Sequence, residues 1–523
     1  MELFEGARFG LQVPDSPAAP VYVCPVKSSS SSTIQQQGYS ASIFLKHKEK
    51  LEKTQQKCIA IFALVCCFAV LVALFFSSVD IWGDSEDGIT EENCSRNCRT
   101  VLVENIPRDL FATNAKTSVP LSAGFHKLLD LAKYSIEVVS PVWNLNSWDT
   151  ETTGSVKQVS SQGQLLFQRL IGLKSRGVKL KIASSLTNSV ELKTLVAHGA
   201  EVIFVNMTAF TRGGLHSSFW IVDRKHIYIG SGDMDWRSFA KRKELGVMVY
   251  NCSCLALDLH RVFAFYWQLH ERDYVPTIWS KRVSALYNRH EPLELQLNET
   301  EATTYVSTSP ELFCSKDRTK DIDAIYQVIH NAKTFIFISV TDYLPIVNRK
   351  LRGSTVTRYW SLIDEVIREA VVLRGVKVRM LITYWEKTHP LTFNFVSSLK
   401  SLCFQLHNCS MDVRFFSQKE TKGDIPDPLN HNKYMVTDNA LYIGKHNWVG
   451  SEFSVNAGVG LVIMMQNNLK NRGRTILGQV RAAFDRDWRS PHAKSQQGSN
   501  NQNNIYREGY SKWQRENYSK HPL

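Results

Sequence analysis

The sequence predicts an α/β protein whose main body has two pseudo-symmetric halves, with mixed sheets flanked by helices, preceded by one transmembrane helix. The first observation is a His-to-Asp run that occurs twice in the chain. The second is a matching series of helices and strands before each copy, and the third is a long apolar stretch near the N-terminus. Alternating strands and helices indicate a layered α/β architecture, and the repeat indicates two equivalent halves packed into one body.

Each repeated run begins with a histidine, continues as an apolar, strand-like segment and ends with an aspartate, and a Tyr-Ile-Gly turn follows. The copies differ at the position that matters most for charge: Lys433 stands two residues after His431, whereas Ser218 stands two residues after His216. The copies are residues 216–223 (H-S-S-F-W-I-V-D) followed by 228–236, and residues 431–438 (H-N-K-Y-M-V-T-D) followed by 442–448.

The spacing within the second run suits phosphodiester chemistry. Side chains at positions i and i+2 of a strand share one face, so His431 and Lys433 are expected to project together. An imidazole can attack phosphorus or protonate a leaving oxygen, and an ammonium neutralises the non-bridging oxygens. In the first run His216 projects with Ser218, whose hydroxyl carries no charge.

The paired runs resemble the two HxKxxxxD motifs of the phospholipase D superfamily, over about residues 100 to 490. The family's G-S-x-N element follows each run in altered form, as Gly-Ser-Gly-Asp at 230–233 and Gly-Lys-His-Asn at 444–447. With the apolar N-terminal stretch, the chain is similar to the single-pass transmembrane branch of the superfamily and, within it, to a paralogue that is named as inactive.

This resemblance implies that the two halves share one site and that a phosphohistidine intermediate forms there. His216 would be the nucleophile and His431 the general acid, while Lys433 and Asn447 would hold the phosphate. The resemblance implies no cofactor and no metal.

Two departures from the family pattern put activity in doubt. Ser218 replaces a lysine, and loss of one preorganised charge contact costs about a hundredfold to a thousandfold in rate. Asp233 replaces an asparagine and places a negative charge where a neutral amide would face phosphate. Lys445 offers a compensating ammonium if its side chain turns inward.

Four further residues are candidates for supporting roles. Asp223 and Asp438 end the two runs out of phase with the histidines, so we expect them to be structural or orienting groups rather than acids or bases. Glu244 and Asn456 follow the two motifs at comparable distances and could support the histidines.

Composition bounds the possible partners. The chain has 523 residues, is 43% hydrophobic and carries a formal net charge of +13. Such a charge is compatible with a nucleic-acid or acidic-membrane partner. The basic excess, however, concentrates beside the apolar stretch and in the C-terminal tail, which favours the simpler interpretation of solvated flanks.

The N-terminal region predicts a membrane anchor. Residues 58–79 are almost uninterruptedly apolar, and about 20 such residues span a bilayer. Lysines precede this stretch and acidic residues follow it, which predicts a cytoplasmic N-terminus and a lumenal or extracellular body, a type II arrangement. These signals do not distinguish among the membranes of the endoplasmic reticulum, the Golgi and the endolysosomal system. The Ser-, Pro- and Gln-rich head before it predicts disorder.

Cysteines and sequons agree with an oxidising compartment. Seven cysteines follow the anchor, so most are expected to pair and one to stay free or to form an intermolecular bond. No Cys/His set has zinc-ligand spacing. Six N-x-S/T sequons predict glycosylation, at Asn93, Asn206, Asn251, Asn298, Asn408 and Asn517.

The helix–strand series defines the halves. In each half a helix and a strand are followed by a second helix, an Arg-Gly-Val-Lys entry and another strand. The predicted helices are 122–133, 165–175, 322–332 and 360–371, and the predicted strands are 135–142, 178–184, 334–341 and 376–383. The predicted domains are a disordered head at 1–57, the anchor at 58–79, a stalk at 80–115, half one at 116–290, half two at 291–490 and a flexible tail at 491–523.

Three functions follow as hypotheses. The favoured one is a membrane-anchored, glycosylated pseudoenzyme with a binding or regulatory role, and the alternative is a weak phosphodiesterase. Relatives in the family imply two substrates for that alternative: single-stranded nucleic acid, in a 5′-exonuclease-like reaction, or phospholipid head groups. The third is an interaction protein that acts through its head or tail. A homodimer is expected by analogy, and a protein partner or phosphate-containing ligand stays unidentified.

Overall fold

A computed structural model gives the fold of the chain. It describes residues 57, 59–72, 94–107, 110, 118–146, 155–270, 272, 274–276, 282–351, 354–417, 428–465 and 475–495. The described residues from 94 to 495 belong to one compact unit, so the two halves make a single body.

Half one is built on an eight-stranded mixed sheet with the strand order β2-β1-β10-β8-β7-β3-β5-β6. The neighbours β3, β5 and β6 run parallel, whereas β3–β7, β7–β8, β8–β10 and β10–β1 are antiparallel. The strands of this half are β1 Arg99–Asn105, β2 Val119–Pro120, β3 Ser135–Val139, β4 Trp143–Asn144, β5 Lys179–Ser185, β6 Glu201–Val205, β7 Phe219–Val222, β8 His226–Gly230, β9 Met234–Asp235 and β10 Glu244–Tyr250.

Half two repeats this arrangement in a ten-stranded sheet, in which β12-β23-β21-β20-β14-β18-β19 corresponds to β1-β10-β8-β7-β3-β5-β6. Strands β11 and β24 and the hairpin β16–β17 are additions. The strands are β11 Leu293–Leu297, β12 Thr300–Ser309, β13 Thr319–Lys320, β14 Phe335–Val340, β15 Tyr343–Leu344, β16 Ile346–Leu351, β17 Ser354–Tyr359, β18 Lys377–Thr383, β19 Met411–Phe416, β20 Tyr434–Thr437, β21 Ala440–Ile443, β22 Trp448–Val449, β23 Gly458–Met465 and β24 Ala493–Ser495.

Helices cover the sheets and lie between them. The four predicted helices and four predicted strands are confirmed, with ends shifted by a few residues and with the second helix beginning earlier, at Ser155. The helices are α1 Leu121–Leu131, α2 Ser155–Ile171, α3 Val190–Ala197, α4 Met207–Phe210, α5 Trp236–Ala240, α6 Ser253–Leu269, α7 Asp321–Asn331, α8 Leu362–Val372, α9 Pro390–Ser401, α10 Gly450–Val455 and α11 Ile476–Trp488.

The strands bury both faces. In β8, Ile227 and Ile229 belong to a core that residues of both halves share, whereas Tyr228 belongs to a core of half one alone. In half two, Leu441 joins the shared core and Tyr442 a core of that half. The shared core also contains the apolar faces of α6 and α11, so it fixes the halves against each other.

Two domain boundaries were wrong. Residues 99–105 do not belong to a stalk, because β1 pairs with β10 along its whole length and buries Leu102 and Val103. Ala493–Ser495 does not belong to a free tail, because β24 pairs with β19. The sequence repeat begins at the first helix of each half, so it did not reveal the strand that precedes that helix.

The membrane-anchor prediction falls only in part on the described residues. Residues 59–72 are helical, and the remainder of 58–79 lies outside the described residues. Within the described ranges, no helix combines the length and the apolar character that crossing a membrane requires. The head at 1–56, the sequons at Asn93 and Asn517 and the tail beyond 495 also lie outside the description.

The cysteine prediction is confirmed. Three disulfides form, and Cys314 is free among the described cysteines that follow the anchor. The bonds are Cys94–Cys254, Cys98–Cys252 and Cys403–Cys409. Four sequon asparagines are described and all four are exposed, namely Asn206, Asn251, Asn298 and Asn408.

Candidate functional site

The two motif histidines lie at the seam between the halves, in extended segments just before β7 and β20. The backbone N–H of His216 donates to the Ala457 carbonyl at 2.7 Å, and that of His431 donates to the Lys243 carbonyl at 2.9 Å. Ala457 and Lys243 each directly precede a strand of the opposite half. The main chain of the other half therefore positions each histidine.

Glu244 is the partner of His431, although it comes from the other half. Both Glu244 oxygens lie 3.0 Å from His431 Nδ1, and the Ser231 and Ser238 hydroxyls donate to the same carboxylate at 2.5 and 3.0 Å. Burial raises the pKa of Glu244, but His431 and the nearby lysines lower it to about 2. Burial lowers the pKa of His431 to about 4, against the opposite effect of Glu244. His431 is therefore neutral at pH 7, with its proton on Nδ1.

Lys433 is held inside the site. Its ammonium donates to Thr341 Oγ1 at 3.1 Å and to the His431 carbonyl at 3.0 Å. Burial lowers the pKa of Lys433 to about 8, although the carboxylates of Glu244 and Glu452 raise it. The residue is only 5% exposed, so its charge acts on the interior of the site.

His216 faces a carboxylate of half two. Its Nδ1 lies 3.4 Å from Glu452 Oε2, and Nδ1 of His446 lies 3.6 Å from the same oxygen. The two imidazole rings stack with centroids 6.0 Å apart. Burial raises the pKa of Glu452, but the two histidines hold it well below its usual value. Among the described residues, these three side chains form a group that could hold a metal ion, which the sequence had not led us to expect.

Lys445 turns inward beside the position of the missing lysine. Ser218 Oγ donates to the Gly232 carbonyl at 2.6 Å, and the Lys445 ammonium donates to the adjacent Ser231 carbonyl at 3.0 Å. The same ammonium forms an ion pair with Asp233, and both side chains are buried. Lys445 therefore brings a cation to the region that Ser218 leaves without one, and Asp233 neutralises that cation.

Asn447 contacts protein rather than open space. Its Nδ2 donates to Glu452 Oε1 at 2.8 Å, and its backbone N–H donates to Glu452 Oε2 at 3.0 Å. Its amide donors therefore position Glu452, whereas the resemblance implied that they hold phosphate.

Asp223 and Asp438 lie where a structural role requires them. The carboxylate of Asp223 accepts hydrogen bonds from the backbone N–H groups of residues 133–135 at 2.7 to 2.8 Å. The carboxylate of Asp438 accepts from those of residues 333 and 334 at 2.9 and 3.1 Å. Each aspartate thus ties the turn between the first helix and the first central strand of its half to the motif run.

The charges in the site do not favour an anion. The site contains two ammonium groups, of Lys433 and Lys445, and three carboxylates, of Glu244, Asp233 and Glu452. Burial raises the pKa of a further carboxyl group there, Asp342, to about 6. A phosphodiester would meet at least as many negative as positive charges, and in a buried site like charges repel strongly.

The histidine partners could not be read from the sequence. Glu244 was a candidate, but it pairs with a histidine 187 residues away. Glu452 and His446 were not singled out, although His446 lies within the altered G-S-x-N element. Asn456, the other candidate, accepts a hydrogen bond from the Gly214 N–H at 2.8 Å and so supports the backbone near His216. Only the exchange of partners across the seam assigns these roles.

A cleft of about 720 Å³ lies elsewhere, and its walls include Glu294, Glu301, Lys333 and Asp438. None of the site histidines or lysines lines it, so we assign the chemistry to the seam.

Comparison with known proteins agrees with the geometry. A family model described as "PLD3/4, PLD-like domain" matches residues 112–421. The chain is 51% identical over 474 residues to inactive phospholipase D5 of Mus musculus, and 50% identical over 476 residues to that of Homo sapiens; each match covers 89% of this chain and 86% of the relative. It is 37% identical over 462 residues to the 5′-3′ exonuclease PLD3 of Xenopus laevis, which covers 86% of this chain and 92% of that protein.

These matches confirm the resemblance that the paired motifs carry, including the similarity to the fifth, inactive paralogue. The family model alone covers more than half of the chain, and the relatives extend along most of it. The chain therefore belongs to the PLD3/4-like family of phospholipase D-type proteins.

Proposed function

We propose that this protein is a catalytically inactive phospholipase D-like protein whose former active site has a binding or regulatory role. The observation that carries this proposal is the buried Lys445–Asp233 ion pair beside Ser218. It removes the net positive charge that a second phosphate-binding lysine would supply. The similarity to relatives that are named as inactive supports the same conclusion.

The histidines are also poorly prepared for turnover. A general acid works best when its pKa lies near the working pH, and burial holds the pKa of His431 near 4. Loss of one charged contact costs about 10²–10³ in rate. A general acid that is mostly deprotonated at pH 7 lowers the rate further, so the two effects act in the same direction.

A triple variant tests the proposal. Ser218→Lys, Asp233→Asn and Lys445→Ser together restore the family pattern without leaving a buried ammonium unpaired. We expect the full chain to be silent on single-stranded oligonucleotides and on phosphatidylcholine, and the triple variant to gain activity that His431→Ala abolishes. Robust turnover by the parent that depends on His431 would overturn the proposal.

The single variant Asp233→Asn separates charge from catalysis. It frees the ammonium of Lys445, so we expect affinity for inorganic phosphate at low salt to rise about tenfold, as one additional charge-assisted contact allows. It also leaves a buried lysine without its partner, so we expect a melting temperature several degrees lower. Calorimetric titration with phosphate measures the first effect. Unchanged affinity would show that Asp233 does not control the charge of the site.

A weak phosphodiesterase is the second candidate, because the His431–Lys433 pair is intact and some relatives are named 5′-3′ exonucleases. In this case Lys445 replaces the missing lysine, and the substrate is single-stranded nucleic acid or a phospholipid head group. Lys445→Ala should then abolish a slow cleavage of single-stranded oligonucleotides. If a measured activity survived that change, Lys445 would not be the replacement for the missing lysine.

We further propose that the protein is a glycosylated type II membrane protein, anchored through residues 58–79, whose body faces the lumen or the cell exterior and forms a homodimer. The three disulfides and the four exposed sequon asparagines support the oxidising side of a membrane. Protease protection in sealed microsomes, with endoglycosidase digestion, tests the topology, and sedimentation in detergent tests the dimer. A body that is cleaved without detergent and carries no glycan would contradict the proposed topology.

A further inference from the structure

We propose that His216, His446 and Glu452 form a binding site for one Zn²⁺ ion at the seam between the halves. These side chains offer two imidazole nitrogens and one carboxylate oxygen, which lie within 4.8 Å of one another. The inference concerns the same former active site, but it rests on the geometry of these three groups and not on the absence of activity.

The two distances from Glu452 to the histidines fit coordination better than hydrogen bonding. Glu452 Oε2 lies 3.4 Å from His216 Nδ1 and 3.6 Å from His446 Nδ1, whereas N–H···O hydrogen bonds are about 2.7–3.2 Å long. Ligand atoms around a tetrahedral zinc, with bonds of about 2.0–2.2 Å, are about 3.3–3.5 Å apart. His431 and Glu244, also at the seam, are 3.0 Å apart and form an ordinary hydrogen bond.

The hydrogen bonding of His446 also favours a bound metal ion. Ser309 Oγ lies 2.5 Å from His446 Nε2 and donates its proton to the Asn456 carbonyl at 3.2 Å. With the Ser309 proton directed to Asn456, Nε2 donates to Ser309, and in the neutral imidazole Nδ1 then offers its lone pair to a ligand. Nδ1 is buried without a hydrogen-bond partner among the described residues, and it faces Glu452. A cation bound between this lone pair and the Glu452 carboxylate would satisfy both groups.

Neighbouring groups orient the three ligands as metal sites require. Metal-bound histidines usually donate their other ring N–H to a protein oxygen, as His446 does to Ser309. Asn447 holds both oxygens of Glu452 through its side-chain and backbone N–H groups. His216 is the most adaptable ligand, because 40% of its side chain is exposed, and a small rotation brings its Nδ1 to the ion.

The fold makes room for His446 by means of one glycine. A Cβ atom at Gly458 would lie 1.9 Å from His446 Nε2. Gly458 begins β23 as Glu244 begins the corresponding strand β10. The imidazole of His446 therefore fills in half two the space that a glutamate side chain fills in half one, so the two halves have diverged at this position.

Two histidines and one glutamate suit zinc and leave its fourth position open to solvent or to an anionic ligand. Coordination through Nδ1 would fix His216 in place and withdraw electron density from its ring, so the ion would hold this histidine as a ligand rather than release it as a nucleophile. The ion would also supply positive charge where the carboxylates otherwise outnumber the lysines.

Direct metal binding tests the proposal. The full chain is purified in detergent without a polyhistidine tag, stripped with a chelator and titrated with Zn²⁺ against a chromophoric competitor. We expect one equivalent to bind, with an affinity that falls at least about 100-fold in His446→Ala and in Glu452→Ala. Co²⁺ should give the visible absorption of a tetrahedral site in the parent and not in these variants.

The control is His260→Ala, because His260 Nδ1 lies 2.8 Å from Glu137 in a His–carboxylate pair with no third ligand in the described group. It should bind Zn²⁺ like the parent. Should a ligand variant fail to fold, the melting temperature of the parent gives the answer, since Zn²⁺ raises it only if the folded state binds the ion. No stoichiometric binding by the parent, or equal loss in His260→Ala, would overturn the proposal. If the chain binds zinc and also cleaves phosphodiesters, the zinc site stands and only the proposed inactivity is refuted.

Discussion

At the scale of single residues, the site is defined by the partner that each polar side chain finds. His431 meets Glu244, whereas His216 meets Glu452 and His446. A histidine with a good hydrogen bond to a carboxylate is held in one tautomer and one orientation. A histidine beside a poorly placed carboxylate and a second imidazole has the surroundings of a metal ligand. The two motif copies therefore differ in chemistry as well as in sequence.

The buried state of His431 predicts a pH dependence of stability. Its pKa is about 4 in the folded protein and about 6.5 in an unfolded chain, so the unfolded state takes up the proton first as pH falls. The free energy of unfolding should therefore drop between pH 6.5 and pH 4, by roughly 3 kcal/mol from this residue. Urea midpoints at pH 7, 5.5 and 4.5 measure the effect.

His431→Gln is the control for this prediction. Other histidines, such as the partly buried His126 and the buried His226, also have lowered pKa values and contribute a slope of the same sign in both proteins. The difference between parent and variant isolates His431. Identical slopes in the two proteins would show that His431 is not buried in its neutral form.

At the scale of elements, a buried charge cluster ties together β1, the residue that precedes β10, and α11. The Lys243 ammonium is 2.5 Å from Asp487 and 3.9 Å from Glu104, and Arg486 lies 2.7 Å from Glu104 and 2.9 Å from Asp487. The Lys243 and Asp487 side chains are fully buried. The Lys243 carbonyl also accepts a hydrogen bond from the N–H of His431, so this cluster lies directly behind the site.

Lys243→Met should destabilise the protein severely. It leaves two buried carboxylates to share one guanidinium, and breaking a buried ion pair costs about 3–5 kcal/mol. Lys320→Met is the matched control, because Lys320 pairs with Glu311 at the surface and such pairs are worth about 0–1 kcal/mol. Thermal or urea unfolding of both variants measures the difference. Equal losses would mean that the cluster does not hold these elements.

At the scale of the whole molecule, two disulfides fasten the N-terminal end of β1 to the start of α6. Cys94–Cys254 and Cys98–Cys252 span 160 and 154 residues and close almost the same loop, whereas Cys403–Cys409 spans only 6. The entropy that a cross-link removes from the unfolded chain grows with the logarithm of loop length. The two long-range bonds are therefore largely redundant with each other.

This redundancy predicts non-additive effects. Serine pairs that remove one long-range disulfide should cost about 1 kcal/mol, because the other still closes the loop, whereas removal of both should cost about 5 kcal/mol. Removal of Cys403–Cys409 should cost about 2 kcal/mol, as a short loop requires. Denaturant midpoints under non-reducing conditions measure all four proteins. Single losses that sum to the double loss would contradict this account.

The sequence determined the architecture because the hydrophobic pattern and the repeat are local properties of the chain. The Arg-Gly-Val-Lys entries lead into β5 and β18, and the family motif identifies the halves and the two motif histidines. The departures at Ser218 and Asp233 are likewise visible as single letters. The number of cysteines predicts that six of them pair, but it does not predict which cysteine pairs with which.

Only the tertiary structure decided what these residues do to one another. The halves exchange partners across the seam, so that Glu244 reaches His431, Glu452 reaches His216 and Lys445 reaches Asp233. No spacing along the chain encodes such contacts, because they arise from packing two sheets through a shared core. The same packing decides the net charge of the site and brings two histidines and one glutamate close enough to hold an ion.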